Sequence, residues 1–254
     1  LPVVRESVKY FGPGQSWQVQ GYVAQLSNDP TQCVAAFRGS VNLANWLADA
    51  QLWLVQWPRD SVVDWCPGCK VHNGFAEAYE ELQPQFRAAV VNLGCAKVQL
   101  AAHSLGASVA TLATIDLRGS LNVDVPAPYL FGAPRVGNVA FAAAFETLAT
   151  EIPSLWRPIH HYDPVPRACL QSVGFKHVGR EVYYTTEDSS TFKVCSPYTS
   201  EDPTCADSVS LASCIASPYL FDHLTYFNMS FKSADFPAGC VDNVNSSGTS
   251  EFLV

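Results

Sequence analysis

What most constrains this chain is the alternation of short apolar runs with longer stretches of helical period. Residues 33–37 are apolar without interruption, as a strand buried on both faces requires. Residues 97–102 read as a second strand and run directly into His103-Ser104-Leu105-Gly106, after which Val109, Leu112 and Ala113 continue as a helix towards Gly119. Between the two, Phe75, Tyr79, Leu82, Phe86, Val90 and Leu93 recur at spacings of three and four, one face of a long helix. Asn73 suits its N-cap, and Pro84 inside it removes a donor and is expected to bend it. Residues 17–26 alternate apolar with Gln18 and Gln20, 50–57 is a strand stopped by Pro58, 126–133 is strand, 138–148 helix and 155–161 strand. Strands alternating with helices predict an α/β fold, with a central, mainly parallel sheet covered by helices on both faces. No repeat and no Pro/Ser linker interrupts the chain before the polar residues 241–250, so one domain over 1–254, with 241–254 as a polar tail, is expected.

Composition narrows the function. The 254 residues are 48% hydrophobic and only 15% charged, enough to bury a large core. With 15 basic against 23 acidic side chains the net charge is −8, and no basic face is available for nucleic acid. The longest apolar runs fall far short of the roughly 20 residues that cross a bilayer. Nine cysteines beside a single methionine suggest an oxidising compartment and hence a secreted, extracellular protein. The sequons at Asn228 and Asn245 suit glycosylation there. No signal peptide precedes Leu1, so a removed leader or a late start is expected. The odd cysteine count leaves one thiol without a partner in this chain.

The strongest local signal is Ala102-His103-Ser104-Leu105-Gly106 between a buried strand and a helix. Small residues two before and two after a serine let the backbone turn sharply and raise Oγ at a helix N-terminus, the geometry of a nucleophile elbow. Such a serine needs a base, and the base an orienting carboxylate. In chain order Ser, acid, His, the acid is Asp163 in Tyr162-Asp163-Pro164-Val165-Pro166, a loop at the carboxyl end of a strand. His72 and His103 precede or adjoin the serine, and His160 and His161 lie too near Asp163. His177 and His223 remain, with His223 in Asp222-His223-Leu224-Thr225-Tyr226-Phe227 preferred. Cys66-Pro67-Gly68-Cys69 with His72 raises zinc, but a structural zinc wants four ligands and no second close pair is present. No metal and no organic cofactor is expected.

Over nearly its whole length the chain resembles the class 3 lipases, a filamentous-fungal triacylglycerol lipase family that also holds feruloyl esterases. Phe37-Arg38-Gly39-Ser40 with Asn45-Trp46-Leu47-Ala48-Asp49 resembles the family's oxyanion loop and lid, and Val71-His72-Asn73-Gly74-Phe75 the start of its long helix. Residues 102–106 are similar to its elbow, 131–138 to its next strand and helix start, 163–166 to its acid loop and 222–227 to its histidine segment. The resemblance implies an α/β-hydrolase-like fold, Ser104 as nucleophile, His223 as base then acid, and Asp163 orienting His223. It assigns the oxyanion donors to Leu105 and Ser40, and makes His103 a structural neighbour packed behind the serine. It places Val41, Leu43, Trp46 and Leu47 in a lid over residues 41–48, with Val165 and Leu224 as substrate contacts. Ala102 departs from the usual glycine, a substitution expected to be tolerated, and a helical segment usual before the first strand is missing ahead of Trp17. By likeness Cys66 pairs with Cys69 and Cys195 with Cys205, while Cys240 pairs with a cysteine in a separate N-terminal segment. The pairing of Cys33, Cys95, Cys169 and Cys214 is not readable. The expectation is a monomeric, secreted carboxylic ester hydrolase acting on acylglycerols at a lipid–water interface. Its rivals are a feruloyl-type or sterol esterase and a non-catalytic lipid-binding hydrolase fold.

Overall fold

The structure, a computed structural model, describes residues 2–39, 53–59, 65–149, 151, 153–215, 220–227 and 229–230. Its strands are β1 (Lys9–Phe11), β2 (Gln20–Leu26), β3 (Asp29–Arg38), β4 (Leu54–Gln56), β5 (Lys70–His72), β6 (Lys97–His103), β7 (Tyr129–Phe131), β8 (Gly137–Asn138), β9 (Trp156–His160), β10 (Phe175–Lys176), β11 (Arg180–Tyr184), β12 (Phe192–Val194), β13 (Thr225–Tyr226) and β14 (Met229–Ser230). Its α-helices are α1 (Asn73–Asn92), α2 (Leu105–Ser120), α3 (Val139–Thr147), α4 (Leu211–Ile215) and α5 (Leu220–His223). The main sheet runs β1-β2-β3-β6-β7-β9-β11-β12, and a smaller one runs β10-β8-β5-β4.

From β3 to β11 every neighbouring pair is parallel, and antiparallel strands flank this centre on both sides. The sheet is therefore mainly parallel, as in α/β-hydrolases. Phe37 pairs with Ala102, and His103 with Phe131, so β3, β6 and β7 deliver their carboxyl ends to one edge of the sheet. Ligands of open α/β sheets sit at that edge.

Burial explains the helices. On α1 the side chains of Phe75, Tyr79, Leu82, Phe86 and Val90 are all buried, each worth about 1.5–3 kcal/mol by area. Phe86 meets Phe11 and Phe37 with ring centroids 5.4 and 5.1 Å apart, joining α1 to the sheet. The helix continues through Pro84, and its cap differs from expectation: the His72 Nδ1 accepts from the Gly74 N–H, while Asn73 is already helical and donates to Glu77. Every residue of α2 from Leu105 to Arg118 is buried. Its one buried carboxylate, Asp116, receives Tyr79, Gln83 and Arg87 from α1, which satisfies a charge that would otherwise be costly to bury.

Other expectations shift in detail. The strand read from Trp17 begins at Gln20, with residues 15–17 in a turn, and β1 precedes it and pairs antiparallel with it. Of the strand read over 50–57, the described part is β4. Disulfides join Cys66 to Cys69 and Cys195 to Cys205, so neither pair is a zinc site, and a third joins Cys33 to Cys95. Cys169 and Cys214 are unpaired and buried. Ser40, residues 41–48 with Val41, Leu43, Trp46 and Leu47, Asn228, Cys240, Asn245 and residues 241–254 lie outside the described residues. Among the described residues no helix is long and apolar enough to cross a membrane.

Candidate active site

Ser104 sits between β6 and α2 at φ +61° and ψ −132°, a conformation that side-chain-bearing residues rarely adopt. Such a backbone costs on the order of 1–3 kcal/mol. Its neighbours hold it there: the Ser104 N–H donates to the Phe131 carbonyl at 3.0 Å, and the Ser104 carbonyl accepts from Ala107 at 2.9 Å. The sharp turn demands small residues where strand and helix crowd. A Cβ on Gly106 would lie 2.5 Å from the Phe37 carbonyl oxygen. Ala102, by contrast, is buried in β6 and its methyl is accommodated.

The Ser104 Oγ lies 2.8 Å from His223 Nε2, and His223 Nδ1 lies 2.9 and 2.8 Å from the two oxygens of Asp163. A carboxylate only accepts, so the Nδ1–H donates to Asp163 and Nε2 is left to accept from the serine hydroxyl. Ser104 is 5% exposed, and His223 and Asp163 are 0%. Asp163 also accepts from the Val165 N–H at 2.9 Å and the Tyr226 hydroxyl at 2.6 Å. Burial pushes the Asp163 carboxyl up, yet the charge and hydrogen bond of His223, with the donors Tyr226 and Val165, hold it below its ordinary value. It stays a carboxylate, and burial first, then the charge of that carboxylate, drive the Tyr226 phenol well above its usual range.

Of the two histidines that spacing left open, His223 meets the serine. His177 is buried, with its Nε2–H donating to the Pro166 carbonyl at 2.9 Å. His103 extends from β6 and donates from Nε2 to the backbone carbonyl of His223 at 2.7 Å. Leu105 opens α2, and its N–H is among the first-turn donors that a helix leaves without an internal acceptor. Gly39 brings the end of β3 against the elbow, since a Cβ there would lie 3.3 Å from the Ser104 Cβ. Val165 is fully buried in the turn after Asp163, and its N–H donates to Asp163. Leu224 is partly buried beside His223.

Two residues at this site escaped sequence reasoning. Gly132 has φ +57°, and a Cβ on it would lie 2.9 Å from Asp163 Oδ2 and 3.0 Å from both Cε1 and Nδ1 of His223. Tyr226 reaches the triad acid from β13. The available signals were a glycine ending an apolar strand and an aromatic hydroxyl three residues past the histidine.

Residues 34–173 match the family described as lipase (class 3). The chain belongs to the class 3 lipases. Among the family's members, it is 33% identical over 200 residues to a lipase of Rhizomucor miehei, covering 76% of this chain and 51% of that one. It is 32% identical over 175 residues to the secreted mono- and diacylglycerol lipase A of Penicillium cyclopium, covering 67% and 53%. The solved triacylglyceride lipase of Rhizomucor miehei superposes with a TM-score of 0.73 at 28% identity, over 90% of this chain and 83% of that one. The chain spans about half the length of both sequence relatives.

Proposed function

We propose that this class 3 lipase chain is a secreted carboxylic ester hydrolase that cleaves acylglycerols at a lipid–water interface through an acyl-enzyme. The observation that carries this reading is the continuous hydrogen-bonded line from Ser104 Oγ through His223 to Asp163, buried at the carboxyl edge of the sheet. In it His223 Nε2 takes the Ser104 proton as Oγ bonds to the ester carbonyl carbon. The imidazolium so formed is held by Asp163 and returns its proton to the leaving alcohol as the C–O bond breaks. Water, deprotonated by the same nitrogen, then releases the acid. The oxyanion falls to the N–H of Leu105 and to Ser40, just past Gly39; each such donor is worth about 3 kcal/mol of barrier. A lid over 41–48, with Val41, Leu43, Trp46 and Leu47 on its apolar side, covers the site in water and opens on lipid.

The relatives support acylglycerols as substrate class, since their names span mono-, di- and triacylglycerols. Secretion is supported by three disulfides and by a secreted relative. A serine-directed phosphonate tests the reading: it is expected to label Ser104 and to stop hydrolysis of emulsified di- and triolein. Ser104→Ala is expected to fold and to lose about 10⁴-fold or more in kcat. Labelling of any other serine, or undiminished hydrolysis by Ser104→Ala, refutes it.

A further inference from the structure

His223 sits at the end of α5, a helix of only four residues. A helix this short cannot hold its own shape, and its last carbonyls have no partner within it. Two of them are met by imidazoles from different strands. The Asp222 carbonyl lies 3.0 Å from Nδ1 of His160, on β9, and the His223 carbonyl lies 2.7 Å from Nε2 of His103, on β6. A carbonyl only accepts, so each contact is an N–H donated by the ring. The other nitrogen of His160 lies 2.9 Å from the Glu187 carbonyl in the loop after β11; a neutral imidazole has a single N–H, so with that proton on Nδ1 for Asp222 this second contact is a hydrogen bond only when both ring nitrogens are protonated. The His103 ring also backs the imidazole it supports: its centroid is 4.5 Å from that of His223, and Tyr226 meets it edge-on at 5.7 Å.

We propose that His103 and His160 are positioning residues for the reaction, fixing the backbone of His223 through N–H donation to the successive carbonyls of residues 222 and 223. His103 carries the larger share, because its bond falls on the catalytic residue itself. Burial, and then the charge that His223 acquires, pull His103 down to about 3, so near neutral pH it is uncharged and keeps one ring proton for that carbonyl. An uncharged ring beside His223 adds no repulsion when the imidazolium forms. The line Oγ to Nε2 to Nδ1 to Asp163 has hydrogen-bond lengths of 2.8–2.9 Å throughout. Slippage of α5 therefore spoils the serine contact and the carboxylate contact together. This inference rests on the hydrolase reading above.

The test uses the full chain, p-nitrophenyl butyrate as a soluble ester, and rates divided by the sites that a serine-directed phosphonate titrates, so that misfolded protein is not counted. His103→Phe keeps a ring against His223 and Tyr226 but has no donor. Its kcat per titrated site is expected to fall about ten- to a hundred-fold with KM within about twofold, since sub-ångström misplacement of a catalytic group has effects of this size. His103→Gln restores an N–H donor without the ring, and is expected to stay within about threefold of the unaltered chain. His160→Phe is expected to lower kcat with KM unchanged, by less than His103→Phe. An unaltered kcat in His103→Phe overturns the proposal, as does a His103→Gln variant as slow as His103→Phe. Should His103→Phe yield no titratable protein, His103→Gln decides alone: threefold retention supports donation, and collapse overturns it. A parent chain that neither hydrolyses the ester nor takes up the phosphonate overturns the hydrolase reading and this inference with it. An active parent with insensitive variants overturns this inference alone.

Discussion

Gly132→Ala adds one methyl group at the most crowded point beside the triad. At φ +57° the new residue adopts a left-handed backbone, which costs about 1–2 kcal/mol for a residue with a Cβ. The methyl would arrive 2.9 Å from Asp163 Oδ2 and 3.0 Å from two atoms of the His223 ring, against 3.4 Å for an ordinary contact. The glycine cannot back away easily, because its N–H is bonded to the Pro158 carbonyl at 3.0 Å. Asp163 is held by Val165 and Tyr226, so the compression falls on the histidine–carboxylate pair. Overpacking of this kind costs about 1–3 kcal/mol. The total destabilisation is then about 2–5 kcal/mol, or a melting temperature lower by roughly 5–15 °C for a domain of this size. For catalysis the relevant quantity is the displacement from 2.9 to 3.4 Å or more. Misplacement by about 1 Å costs around a hundredfold, so half of that predicts a kcat about tenfold lower with KM nearly unchanged. Soluble-ester kinetics, phosphonate titration and thermal unfolding check the three consequences on one preparation. A Gly132→Ala variant with kcat within twofold of the parent and the same melting temperature would refute the packing argument.

The remaining predictions concern stability and the interface. Tyr226→Phe removes one donor from the buried Asp163 carboxylate and should cost about 1.5–3 kcal/mol at pH 7. Because Asp163 is depressed in the fold, its contribution is complete above the unfolded carboxyl value of about 3.9 and is lost as the pH falls through the lower folded value. The Tyr226→Phe deficit should therefore be full at pH 7 and shrink below pH 4, and urea unfolding at both pH values reads it; an equal deficit at both would contradict the assignment. Replacing Cys33 and Cys95 together by Ala opens a link between residues 62 apart in sequence. Chain entropy sets that loss at about 4 kcal/mol, measurable as a shift in denaturant midpoint. Trp46→Ser should flatten the rise in rate as a sparingly soluble triglyceride passes its solubility limit, and an unchanged profile would remove the lid from the mechanism.

The features legible in the sequence are those that a single segment specifies alone. The α1 face was readable because burial on a helix repeats at 3.6 residues, and the elbow because a strand, a serine and a glycine follow one another without a gap. Features shared between two segments were not. β1 has three residues, of which only Phe11 is buried, too short a run to show a period. His72 and Asn73 are both able to cap α1; in the fold His72 Nδ1 accepts the Gly74 N–H, while Asn73 Oδ1 accepts from Arg59 and its amide donates to Glu77. Cys33 and Cys95 become neighbours only because β3 and β6 pair side by side. The hold on Asp163 is likewise a property of the folded turn, in which the Val165 N–H, two residues on, and the Tyr226 hydroxyl, 63 residues on, both donate to its carboxylate.

The choice between His177 and His223 shows the same division in terms of charge. Both histidines follow Ser104 and Asp163 in the chain, and nothing in their immediate sequence marks one as a base. A general base must accept a proton and stabilise the resulting cation for the lifetime of the intermediate. His177 is buried, and among its charged neighbours are Arg157, Arg135 and Arg167; burial first, and then these cations, drive it well below its ordinary value. Those arginines stand 20, 42 and 10 residues before it in the sequence, so their convergence is a property of the fold. His223 is equally buried, but the group on its Nδ1 is a carboxylate, and its other nitrogen faces the serine. Two imidazoles in equally dry surroundings thus differ in the sign of the charge beside them. That sign makes His177 a fixed, neutral donor to Pro166 and suits His223 to carry a proton between Ser104 and a leaving group.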